Sequence, residues 1–249
     1  MDPYIPFSGA KLKVSRARKH IAELQRVIDE FSATEFYEIV MKLDDLERWM
    51  PVVFPFKPIP DELPLIIGDA VHNLRSALEH LVYALVPSRE TAFPMHMTQK
   101  NFETDKSKLN LIEDALPGAK DLLLKKVQPY TGGNGELLYA LHSLDKSDKH
   151  HKILLTTTAA LGGSFRIIEN GDVRVAISGI RFDPNQNTVI PLIGPWTAET
   201  ELQHDNRAML EVSFGEPAIL SKKAVIPTLL KMAQNVDQTI VDFCELANL

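Results

Sequence analysis

Residues 62–87 constrain this chain more than any other stretch, because their polar and apolar positions separate cleanly at the helical period. Each helical residue turns roughly 100° about the axis. Val71, Leu74, Leu78, Leu81, Val82 and Leu85 then form one stripe, and Asp69, His72, Asn73, Ser76, Glu79, His80 and Tyr83 lie opposite. The stripe must bury against other elements. The opposite face carries no lysine and offers two imidazoles, carboxylates, an amide and hydroxyls, a set that suits a half-buried cleft better than open water. Asp61 is the expected cap, Pro64 fits the first turn, and Pro87 closes the helix.

The rest of the chain arranges itself around that helix. Apolar residues recur helically over 8–33, with Ser8 as an expected cap. They do so again over about 107–126, with an interruption at Pro117-Gly118, over 136–150 and over 221–246. Residues 34–56 are β-branched and aromatic and predict two strands joined near Asp44-Asp45, ended by the proline run Pro55 to Pro60. Strand patterns then dominate 152–214: 153–158, 165–168, 173–177, 189–193 and 209–214. Asn170-Gly171 is a hairpin signal because both residues of that turn need positive φ. The fold expected is one α+β domain over 1–249, with a helical bundle of about five helices and an antiparallel sheet formed mainly by residues 152–214. The Gly132-Gly133 pair reads as a flexible connection, since no lysine and hydroxyl follow in phosphate-loop register.

The helix Gly68-Asp69-Ala70-Val71-His72-Asn73-Leu74-Arg75-Ser76-Ala77-Leu78-Glu79-His80-Leu81 places an arginine five residues before a histidine. Arg75 and His80 resemble the signature of the HEPN superfamily, small helical bundles that include metal-independent ribonucleases. The wider phrase, with the later run Leu141-His142-Ser143-Leu144-Asp145-Lys146-Ser147-Asp148-Lys149-His150, also resembles a group of uncharacterised bacterial proteins. The resemblance implies RNA as partner, no cofactor, and a site completed across a homodimer. Two features depart from it. Ser76 stands where a larger polar residue commonly follows the arginine, and a sheet is no part of that bundle.

RNA cleavage needs an acid, a base and a fixed cation. An imidazole, with an ordinary pKa near 6.5, makes His80 a base or acid. Arg75 offers a planar fork for phosphate, His72 is the second acid or base, and Glu79 orients an imidazole. Asn73, Asp69, His142 and Lys149 are expected to hold substrate. In the competing structural reading, Arg75 pairs with Glu79 four residues on, and the chain is a non-catalytic protein- or ligand-binding module. A third reading, a metal-dependent hydrolase, uses His72, His142 and Asp145, because His142 and Asp145 have helical ligand spacing.

Composition narrows the classes. A net charge of −6 argues against non-specific coating of nucleic acid, despite local basic clusters at 11–19 and 146–152. The single cysteine, Cys244, excludes an internal disulfide framework. No apolar run approaches the roughly 20 residues of a membrane span, and the N-terminus lacks a secretion-signal layout, so the expectation is a cytoplasmic protein without a membrane partner.

Overall fold

The structure, a computed structural model, describes residues 7–88, 91–150, 156–162, 164–192, 194–204, 207–215 and 217–248, with backbone alone at 149–150 and 156–158. The chain forms two compact units. One comprises residues 1–24, 62–156 and 214–249, and the other residues 25–61 and 157–213. The class is α+β, with seven α-helices among the described residues rather than about five. They are α1 (Ser8–Ser32), α2 (Leu63–Leu85), α3 (Gln99–Thr104), α4 (Lys106–Ala115), α5 (Ala119–Leu122), α6 (Glu136–His150) and α7 (Val225–Leu246). A π-turn, Leu123–Val127, continues α5 directly. No helix of the described residues is long and apolar enough to cross a membrane.

In the first unit α2 is the central helix, packed against α6 and α7. Five of its stripe residues are core: Val71, Leu74, Leu78, Leu81 and Val82 have no measurable exposure, as does Ile67, while Leu85 at the helix end is half-buried. Each such side chain contributes about 1.5–3 kcal/mol when buried. Asp61 does not cap α2. Glu62 takes the cap position and makes no side-chain cap bond. Proline in the first turn removes one of the donors a cap would satisfy, since Pro64 has no N–H.

The helical signal over 107–126 resolves into pieces for local reasons. Gly118 adopts φ +91°, which ends α4 and starts α5. The Glu113 carboxylate accepts from Gly118 N at 2.9 Å and Lys120 N at 2.8 Å, stitching the break. Those two bonds hold Glu113 below the usual carboxylate range. The short α3 lies in a stretch that reads as merely polar. Its sequence signal is the cap Thr98, which accepts from Asn101 N at 3.3 Å.

The loop before α6 is not a free connection. A Cβ on Gly133 would stand 2.4 Å from the Gln128 carbonyl oxygen, and one on Gly135 would stand 2.5 Å from that of Val127. Both glycines let the loop lie directly on the π-turn. Gly135→Ala is therefore expected to cost about 1–3 kcal/mol, measured by urea unfolding. A change below about 0.3 kcal/mol would contradict the close approach.

The second unit holds most of the nine strands found among the described residues: β1 (Tyr37–Leu43), β2 (Trp49–Pro55), β3 (Thr156–Gly162), β4 (Ser164–Glu169), β5 (Asp172–Ser178), β6 (Arg181–Phe182), β7 (Thr188–Val189), β8 (Glu201–His204) and β9 (Ala208–Phe214). They form three three-stranded sheets, ordered β1-β2-β7, β6-β3-β9 and β5-β4-β8, not one. The reason is pairing at a distance. β2 takes β7 as its second partner through Val52↔Val189 and Val53↔Thr188, so the 34–56 hairpin and the later strands share a sheet. The hairpin turn binds itself: Asp44 accepts from Leu46 N and Arg48 N at 2.9 and 2.8 Å. Asn170 and Gly171 do adopt positive φ, +53° and +84°. Phe31, Phe36, Tyr37 and Phe182 form the aromatic core, with Tyr37 and Phe182 ring centres 4.7 Å apart. The short β6 and β8 have too few residues to show a period of two. Of the expected first strand, Ile153-Leu154-Leu155 lie outside the described residues, as does Ile193.

Candidate functional site

Helical spacing sends the polar face of α2 in two directions, and each meets a different neighbour. Toward α6 lie His72 and, at the flank, Arg75. Gly68 permits that approach, since a Cβ there would come within 3.0 Å of both Asp148 carboxylate oxygens. The His72 Nδ1–H donates to Asp145 Oδ1 over 3.0 Å, and Ser76 Oγ lies 3.4 Å from His72 Nε2. Asp145 is itself buried. Arg75 Nε donates to His142 Nδ1 over 3.3 Å, and Nη2 pairs with Glu79. The second Glu79 oxygen, Oε2, accepts from Phe93 N at 3.1 Å.

Burial decides what this network can do. The Arg75 side chain is only 9% exposed, whereas that of Glu79 is 35% exposed. Burial lowers Arg75 from its ordinary value, while the charges of Glu79 and Asp145 oppose the shift. A guanidinium nevertheless stays charged at any relevant pH. Arg75 Nη1 is buried and has no hydrogen-bond partner among the described residues. His142 is pushed down to about 4, first by burial and then by the adjacent Arg75 charge. Its imidazole is therefore neutral near pH 7 and can only accept from the guanidinium.

The other direction is an open cleft of about 360 Å³, lined by Glu79, His80, Tyr83, Ser88 and Thr91. His80 and Tyr83 are exposed on it. Gly9 in the first turn of α1 leaves room for the imidazole; a Cβ there would stand 3.0 Å from His80 Nδ1. Thr91 Oγ1 is buried without a hydrogen-bond partner among the described residues. Glu79 alone belongs to both directions, since it holds Arg75 and also lines the cleft.

The structure thus brings Arg75, Glu79 and His142 together, and His72 with Asp145. His80 is separate from that network and shares only Glu79's neighbourhood. Asn73 and Asp69 stay local: the Asn73 amide donates to the Asp69 carbonyl at 2.8 Å, and its oxygen accepts from Lys13 Nζ at 3.5 Å. The Lys149 side chain and residues 151 and 152 lie outside the described residues. Of the trio His72, His142 and Asp145, one imidazole already holds the carboxylate and the other holds Arg75. Among the described residues no group of three His, Cys, Asp or Glu side chains is arranged to hold a metal ion.

Spacing missed several groups. His96 Nε2 lies 2.8 Å from Asp105 Oδ2, and Asp105 also caps α4 by accepting from Lys108 N. Burial raises Asp105, but the bonds from His96, Ser107 and Lys108 outweigh it and leave the carboxylate below its ordinary value. A cap nine residues from a histidine, beyond a second short helix, has no periodicity to betray it. Comparison with known proteins adds no family: no family model, no curated protein and no solved structure matches this chain.

Proposed function

We propose that the first unit is a non-catalytic binding module, an inactive counterpart of the RNA-cleaving helical bundles it resembles, with the His80 cleft as its ligand surface. One observation carries this reading: the Arg75 guanidinium is committed to His142 and Glu79 inside the protein. Nε and Nη2 are spent on two internal partners, and Nη1, though without a partner among the described residues, is buried, so the fork cannot present paired donors to a phosphate as it stands. The low pKa of His142 adds to the case, because a group neutral near pH 7 with its Nδ1 lone pair occupied is a poor proton donor or acceptor. RNA as the ligand, and a homodimer as the assembly, are proposals taken from the sequence resemblance.

A second reading, metal-independent RNA cleavage, is favoured by the double position of Glu79. A ligand that drew this carboxylate into the cleft would release Arg75 beside the exposed His80. The two readings separate in one assay. Labelled single-stranded RNA is incubated with wild type and His80→Ala in EDTA. Intact strands with both proteins are expected. Cleavage by wild type that His80→Ala abolishes would overturn the binding-module reading and establish the nuclease.

A further inference from the structure

A separate pocket of about 160 Å³ lies in the first unit between the π-turn, the loop before α6, and α7. Its wall includes Lys126, Asn134, Asn235, Gln238, Thr239 and Asp242. The Asp242 side chain is only 4% exposed, yet Oδ1 accepts from Lys126 Nζ at 2.9 Å and from Gln238 Nε2 at 2.7 Å. Lys126 is the opposite, 58% exposed on a long flexible stem. The pocket therefore sets a buried anion against a largely exposed cation, with the Gln238 carboxamide bonded to the anion and that of Asn134 to the Lys126 backbone.

Its construction is costly. The π-turn is a rare form that recurs at functional sites. It runs into Gln128, a non-glycine residue at φ +49°, a conformation that costs of order 1 kcal/mol. The pieces are fixed to each other: Asn134 Nδ2 donates to the Lys126 carbonyl at 3.1 Å, and Asn134 N to Gln128 Oε1 at 3.3 Å. The wide turn sets Lys126 over Asp242.

We infer that this pocket binds a small zwitterion of the amino-acid class, its ammonium on Asp242 and its carboxylate on the displaced Lys126. Charge balance selects that class. A simple amine on Asp242 would leave Lys126 unpaired, and a simple acid on Lys126 would leave a buried carboxylate unpaired, which is expensive. A zwitterion inserted into the pair leaves neither charge alone. Gln238 Nε2 and Asn134 Nδ2 each have a second N–H, beyond those given to Asp242 Oδ1 and the Lys126 carbonyl, for its carboxylate. Size limits it to something like alanine or serine: the volume corresponds to about five waters at roughly 30 Å³ each, well short of the roughly 300–1,000 Å³ of sites for larger ligands.

The test is a titration of the full chain with glycine, L-alanine and L-serine, followed by calorimetry and by the side-chain amide signals of Gln238 and Asn134 in NMR. Ethylamine and acetate serve as half-ligands. Saturable binding of at least one amino acid, with those amide signals shifting, is expected. Each half-ligand should bind at least tenfold more weakly. Lys126→Met, which strips Asp242 of its cation and is checked by circular dichroism to keep the wild-type fold, should weaken binding at least tenfold, and Asp242→Asn should abolish it. No saturable response to any of the three amino acids would overturn the assignment. So would ethylamine binding equally well, or Lys126→Met binding like wild type.

Discussion

Arg75→Ala is expected to destabilise the helical unit by about 2–4 kcal/mol, a fall in Tm of roughly 5–10 °C for a unit of this size. The change removes a buried cation and strands what it held. His142 Nδ1 loses its donor, Glu79 loses its counter-charge, and the space of a long side chain opens between α2 and α6. The effect stays in the lower part of the range for broken buried pairs because Glu79 is a third exposed and water replaces part of the loss. Arg75→Lys should recover less than half, since an ammonium cannot hold an imidazole and a carboxylate in one plane. Glu79→Gln should cost less, about 1–2 kcal/mol, as its one amide oxygen still accepts from Arg75 while its NH2 can no longer accept from Phe93 N. Thermal unfolding followed by circular dichroism measures all three. An Arg75→Ala protein as stable as wild type would mean that the guanidinium is not a structural pin.

The second large effect is on the pH dependence of stability. The folded His142 has a pKa near 4, below the 6.5 of an unfolded imidazole. Between those values the unfolded chain binds a proton that the folded chain refuses. Stability from this group is thus complete above about pH 6.5, declines as pH falls toward 4, and changes no further below that. Because the ring is only half-buried, solvent screening reduces the effect to about 1–2 kcal/mol. His142→Asn keeps an acceptor near the Nδ1 position and cannot titrate. Its Tm should fall less than that of wild type between pH 7 and 4.5. Parallel curves for the two proteins would count against a buried neutral His142.

Much of the fold was legible because long amphipathic segments advertise themselves. The α2 stripe is the core of the first unit, and the Asn170-Gly171 hairpin sits where its turn chemistry requires. Short or non-local features were not legible. The division into three sheets depends on β7, two residues long, finding β2 more than a hundred residues earlier. Of the Gly132-Gly133 pair that reads as slack, Gly132 stands in open space but Gly133, like Gly135, is a place of close packing, because sequence shows a missing side chain and not what fills its space.

For the site, helical geometry put Arg75 at the flank of the polar face beside Glu79, which is where it lies. Its burial depends on α6, a helix sixty residues later, and on which residues that helix turns inward. The pairing of His72 with Asp145 has the same origin. The pocket at Asp242 gave no signal, since one of three acids on the last helix resembles any solvated residue until the π-turn places Lys126 over it.

The account rests on a guanidinium buried between α2 and α6 against an imidazole that burial first, and the guanidinium's charge second, keep neutral. An NMR titration of the His142 ring tests this most directly. The ring signals should hold constant from pH 7.5 to about 5 and show a midpoint near 4. A midpoint near 6.5 would mean that His142 is free of Arg75 and open to water, and the structural role assigned to the network would fall.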